Sequence, residues 1–247
     1  MVVTIITIFW YIEAIKRGKV VTLRSIPALD AIDEATGRCA EMGRPVHFTP
    51  GYTQGGLYNA DMGPQVMAGL VILQKVASSA AKRGVSIIVS LNQPEAVPIA
   101  EETVRVAYAN EGAVSPPKAV RFISTEQYAY VAGVLSMYLE ERPAANVLMG
   151  FFWSESLQFA EGSNYIGAMT IGGTASASQM AFFAASCDYF LFGEELFAAR
   201  AYIEKAPDLL GSIVGQDILR ILILAITVLT WLAGNFKYTQ LVSFLKM

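Results

Sequence analysis

Val147-Leu148-Met149-Gly150-Phe151-Phe152 is apolar at every position, and Val85-Ser86-Ile87-Ile88-Val89-Ser90-Leu91 departs from that only at two small serines. A strand with one wet face alternates polar and apolar residues, whereas one that stays apolar is buried on both faces. Burial on both faces calls for a helical layer on each side, and so for parallel strands joined by crossover helices. The surrounding sequence fits that demand. Further strands are predicted at Val46–Thr49, Ala119–Ile123, Ala168–Ile171 and Tyr189–Phe192, with those above closing at Leu91 and Phe152. Between them the 3.6-residue period predicts helices at Leu29–Met42, Asp61–Arg83, Pro94–Asn110, Thr125–Glu141, Ser154–Glu161, Ser176–Ala185 and Glu194–Glu204. The expected fold is α/β: a three-layer, doubly wound (Rossmann-like), mainly parallel sheet of about six strands over residues 25–210. No internal repeat or low-complexity linker interrupts it, and Pro116-Pro117 reads as a connector before the third strand.

The ends differ from the middle. The chain has 247 residues, 54% of them hydrophobic, and a mean hydropathy of +0.44. Much of that excess lies in Val2–Ile12 and Ile218–Ala233. The first run, within an N-terminal membrane segment at 1–15, lacks the basic start and small-residue cleavage site of a signal peptide. As a helix of about 14 residues it reaches about 21 Å, short of an apolar core of about 30 Å. The second lies in an expected transmembrane helix at 213–236, where Arg220 is placed to snorkel and Trp231 to anchor at the interface. Residues 237–247 form a short tail. Lys16, Arg17, Lys19 and Arg24 favour a cytoplasmic α/β domain, against a weaker opposing signal from Lys237 and Lys246. The lipid bilayer is thus one expected partner. Net charge is −3 without a basic stripe, which argues against nucleic acid.

In sheets of this kind ligands sit at the carboxyl ends of the strands, near the switch in strand order. The residues expected there are Thr49 and Gly51, Asn92, Ser124, Glu155, Gly173 and Thr174, and Glu194 and Glu195. Such an edge is polar and acidic, suited to a cation or an amine-bearing small molecule. Each glutamate also has a plainer reading, because carboxylates favour the first turn of a helix. Gly172-Gly173-Thr174 similarly reads as a tight strand-to-helix turn, and Gly51-Tyr52-Thr53-Gln54-Gly55-Gly56 as a flexible loop over the edge.

Motifs for named chemistries are missing. The 51–56 loop is followed by Leu57 and Tyr58 where a phosphate loop needs Lys and Ser or Thr, and it is not GxGxxG. There is no GxSxG elbow. His47, the one histidine, sits in a strand and reads as packed and hydrogen-bonded, although a Ser–His–acid arrangement with Ser154 or Ser124 stays open. Cys39 and Cys187 lack zinc spacing and read as buried thiols suited to a reducing compartment, or as a single disulfide. No catalytic residue, metal ligand or cofactor is assigned.

Three segments, Gly43-Arg44-Pro45-Val46-His47-Phe48-Thr49-Pro50-Gly51, Gly172-Gly173-Thr174, and Cys187-Asp188-Tyr189 running to Gly193-Glu194-Glu195, resemble an uncharacterised, domain-of-unknown-function family of prokaryotic membrane-tethered α/β proteins. The resemblance spans most of 25–217. It implies a tethered α/β domain and carries no catalytic residues. The expected role is a non-catalytic scaffold or assembly subunit of a membrane complex, forming a homo-oligomer. Phe182, Phe183, Tyr189, Phe190, Phe192, Phe197 and Tyr202 serve as core or as a self-association face. The alternatives are a small-ligand sensor and a hydrolase, either with its site at the strand carboxyl edge.

Overall fold

The computed structural model describes residues 10–13, 15–17, 25–204 and 206–235. They fall into two compact units, one made of the described residues from 25 to 203 and the other of the described residues near the two ends. The larger unit holds strands β1 (Val46–Gly51), β2 (Ile87–Leu91), β3 (Val120–Phe122), β4 (Ala145–Phe151), β5 (Met169–Thr174) and β6 (Tyr189–Phe192). Helices α1 (Pro27–Met42), α2 (Gly63–Lys82), α3 (Val97–Asn110), α4 (Gln127–Glu141), α5 (Glu155–Tyr165), α6 (Ala177–Ser186) and α7 (Glu195–Glu204) alternate with them. The six strands form one sheet in the order β3-β2-β1-β4-β5-β6, and every pairing is parallel. The order reverses between β1 and β4, which is the doubly wound arrangement expected from the sequence.

Strand alternation sorts the side chains into two cores. Val46, Phe48, Ile87, Val89, Val147 and Met149 point to one side, where Ile32, Leu73, Val104 and Leu196 come down from α1, α2, α3 and α7. Ile88 and Leu148 point to the other, against Tyr130, Val134 and Tyr138 of α4, Phe159 of α5 and Phe183 of α6. Both faces are covered, so the central strands need apolar residues at successive positions.

Some expected boundaries move, each for a packing reason. The turn expected at Gly172-Gly173-Thr174 is the last half of β5. A Cβ on Gly172 would lie 2.7 Å from Cys187 Sγ, and one on Gly173 would lie 2.4 Å from Met149 Sδ, so crowding on both faces, not a turn, accounts for these glycines. Helix α5 runs on to Tyr165, past the expected end at Glu161. A 3-10 turn at Pro94–Ala96 precedes α3, because Pro98 sits at the start of the helix proper.

In the terminal unit, helix α8 (Pro207–Asn235) contains Asp208–Leu232, a stretch long and apolar enough to cross a membrane. Its apolar side chains are bare, Trp231 at 67% and Ile221 at 68% exposure. Val2–Phe9 and the tail at 237–247 lie outside the described residues. Residues 10–13 are helical, and Ile12 packs on the first turns of α8. Gly211 and Gly215, four residues apart, are both buried, and a Cβ on Gly211 would lie 2.6 Å from the Ile12 Cα. Four residues along from Ile12, Lys16 pairs with Asp208 at 2.8 Å, three residues back from Gly211, so the two segments run antiparallel. Small residues permit such backbone approach between helices. Gly211→Leu is therefore expected to separate the segments. In a Lys16→Cys, Asp208→Cys background its signature is a several-fold drop in disulfide cross-linking, and unchanged cross-linking would refute the pairing.

Candidate functional site

The backbones of β1 and β4 meet where the strand order reverses. Gly51 lies opposite Phe151, and Tyr52 N–H donates to the Phe151 carbonyl at 2.9 Å. A Cβ on Gly51 would lie 1.9 Å from that carbonyl oxygen, and one on Gly150 would lie 2.1 Å from the Pro50 oxygen. The main chains of β1 and β4 thus stay in tight contact up to the point where the strand order reverses. Just beyond Gly51, the loop at 51–56 is bonded through Thr53 to the residue that follows β2: Thr53 N–H donates to Asn92 Oδ1 at 3.2 Å, and Asn92 Nδ2 returns a bond to the Thr53 carbonyl at 3.0 Å.

The other expected site residues are spent on local partners. Thr49 Oγ1 is bonded to the Tyr130 hydroxyl at 2.5 Å and accepts Gly51 N–H at 3.1 Å. Ser124 Oγ accepts Glu126 N–H at 3.0 Å, forming a turn before α4. Thr174 Oγ1 accepts Ser176 N–H at 3.2 Å, while Gln65 of α2 accepts Ala175 N–H at 3.0 Å. Gly173 is packing, as above. Glu195 Oε2 accepts Phe192 N–H at 3.2 Å, and Glu194 is exposed. Glu155 follows β4 and the Glu194-Glu195 pair follows β6, two strand spacings or about 10 Å across the sheet. The nine residues therefore spread along one edge of the sheet. Among the described residues no group of three or more His, Cys, Asp or Glu side chains is placed to hold a metal.

Glu155 is the most unusual of the nine. Its side chain is fully buried, Oε1 accepting Trp153 N–H at 2.7 Å and Oε2 accepting Gln127 Nε2 at 2.7 Å. Burial raises its pKa, and the two donors offset that only in part. Such a carboxyl favours its protonated form more in the fold than in the unfolded chain, so its contribution to stability is greatest at low pH and declines as pH rises. Glu155→Gln keeps an acceptor for Trp153 N–H and removes the buried charge. The variant's stability relative to wild type is expected to rise between pH 4 and pH 8, read from urea unfolding, and a constant difference would be against it.

The polar groups under the sheet form a second internal network. His47 is fully buried on the α4 side, with Nε2 bonded to Ser90 Oγ at 3.0 Å and Nδ1 to the Tyr138 hydroxyl at 3.3 Å. Burial lowers its pKa to about 3, with Arg121 adding to the effect. It is a packed neutral imidazole, as read from the sequence, and Ser124 and Ser154 are not among its hydrogen-bond partners. Asn146 Nδ2 donates to Ser163 Oγ at 2.7 Å, and Ser163 is bonded in turn to Thr170. Both cysteines are free, and burial pushes Cys39 up to about 11 and Cys187 up to about 12, which keeps both as unreactive thiols.

Cavities occur at the opposite edge, where the strands begin. One of about 490 Å³ is lined by Arg44, Arg83, Lys118, Arg121 and Glu141 among others. A second of about 310 Å³ lies across the Pro116–Ala119 connector, beside Glu101 and Arg105 of α3. The sequence gives no local sign of the first: its cations come from three separate places in the chain, Arg44, Arg83 and the Lys118–Arg121 stretch, and meet only through strand order.

A family model described as "Domain of unknown function (DUF6754)" matches residues 1–245. No curated protein matches the chain, and no solved structure does.

Proposed function

We propose that this chain, which belongs to the DUF6754 family, is a membrane-anchored α/β domain that acts without chemistry as a self-associating scaffold or assembly subunit of a membrane complex, with the domain on the cytoplasmic side. One observation carries the reading. Strand β6 is an edge of the sheet, and aromatic side chains stand bare on it and on the helices either side of it in the chain: Phe192 at 56%, Phe182 at 45% and Phe197 at 49% exposure. Exposed aromatics beside an unpaired strand edge are costly in a lone molecule and suit a protein interface. The bare apolar surface of α8 supports an anchor in lipid.

The test is native mass spectrometry of the full chain extracted gently from its membrane. A defined multimer is expected, retained by the Glu155→Gln, Glu194→Gln double variant. Phe182→Ser with Phe192→Ser is expected to shift it to smaller species, with unfolding otherwise unchanged. A strictly monomeric protein, or a multimer indifferent to both phenylalanines, would defeat the reading. A bound small molecule lost from the glutamate variant would favour a ligand sensor instead.

A further inference from the structure

We propose that the cavity at the starting ends of β1, β2 and β3 is a binding site for a phosphate-bearing anion, distinct from the carboxyl edge and from the aromatic edge of β6. Four cations, Arg44, Arg83, Lys118 and Arg121, line a space of about 490 Å³ with one carboxylate, Glu141. The whole chain carries a net charge of −3, so this is a local reversal of sign. The volume lies within the range that holds a small organic phosphate.

The cations are not all accounted for by the fold. Arg44 follows the last turn of α1 and Arg83 the last turn of α2, where positive charge offsets the helix dipole. Arg83 is also held by Ser79 Oγ at 2.9 Å and Asp33 at 3.7 Å. Arg121 is paired with Glu141 at 2.9 Å. Lys118 follows no helix end. It sits in the connector before β3 with φ at 55°, a left-handed backbone that costs a non-glycine residue conformational energy. Among the described residues neither Lys118 nor Arg44 is in an ion pair. The arrangement thus offers two uncommitted cations and two oriented guanidinium groups around one cavity. Arginine forks match phosphate oxygens two at a time, and a compact lysine adds charge without constraining geometry. No helix begins at this edge, so recognition would rest on side chains and be strongly sensitive to salt.

The same chemistry is supplied by a soluble phosphate compound or by a phospholipid headgroup, and two probes separate them. The full chain is placed in nanodiscs of phosphatidylcholine, with and without phosphatidylglycerol, and inorganic pyrophosphate is titrated by calorimetry at low and high salt. Binding of pyrophosphate, weakened about tenfold or more by Arg44→Gln or by Lys118→Gln, supports the site and assigns a soluble ligand. Thermal protection by phosphatidylglycerol alone, lost in the same variants, supports it and assigns the headgroup. Lys118→Gly guards against misfolding, since glycine relieves the left-handed strain: it should unfold at a higher temperature than wild type and yet bind more weakly. Wild type and variants that respond alike to both probes would overturn the proposal. Because none of these residues lies at the β6 edge, the multimer need not change in either case.

Discussion

Gly51→Ala should be among the most damaging single-methyl changes in this protein. Two costs coincide. Gly51 has φ at 86°, a conformation that a Cβ disfavours by about 1–2 kcal/mol. The new methyl would also sit 1.9 Å from the Phe151 carbonyl oxygen, a backbone atom held in the parallel ladder between β1 and β4. Neither strand can withdraw, because each is bonded to a further neighbour and Gly150 presses on Pro50 in return. Together these costs come to about 3–5 kcal/mol, a fall of roughly 10 °C in the midpoint for a domain of this size. Gly43→Ala separates the two costs. Gly43 is also left-handed, with φ at 62°, but nothing lies within 4 Å of its missing Cβ. Its alanine should lose only about 1 kcal/mol. Thermal unfolding of the two variants, followed by near-ultraviolet dichroism, decides the matter: equal losses would mean that the strand junction yields to the added methyl.

That junction marks where reading the sequence succeeds and where it stops. Burial on both faces leaves a compositional trace, so Val147–Phe152 and Val85–Leu91 declare a covered parallel sheet without coordinates. The tight contact of β1 with β4 at Gly51 leaves none. Glycine at 51 is equally consistent with an open loop and with two strands in contact, and only strand order brings Phe151 to it. Gly172-Gly173 misleads for a related reason: glycine can mean a turn or a lack of room, and here Cys187, Phe183, Met149 and Leu191 occupy the room. The glutamates are legible as helix starts, and Glu155 and Glu195 do bond to nearby main-chain N–H groups. The cation-lined cavity is the reverse case. Arg44, Arg83 and the Lys118–Arg121 stretch carry no common spacing signal, because what joins these three places is the adjacency of β1, β2 and β3 at their starting ends. Gly211 and Gly215 do carry one, a four-residue small spacing just ahead of the apolar run, and it becomes informative once Ile12 is seen on it.

Acid should weaken the fold through His47 before most carboxylates titrate. The imidazole is held at a pKa of about 3 by burial, against about 6.5 when the chain is unfolded. Above pH 6.5 it is neutral in both states and contributes no slope. Below that, the unfolded chain takes up a proton that the fold resists, so stability falls by about 1.4 kcal/mol per pH unit until the folded pKa is reached. Between pH 6.5 and pH 4.5 the loss from this one group is about 2–3 kcal/mol. His47→Gln breaks the geometry with Ser90 and Tyr138, so it should be less stable than wild type at neutral pH, by about 1–3 kcal/mol for bonds left unmade in the core. It has no proton to gain, however. The gap between wild type and variant should therefore close as pH falls and reverse near pH 4.5, in urea unfolding of the full chain in detergent. A gap that stays constant from pH 7.5 to pH 4.5 would mean that the core admits the charged imidazole.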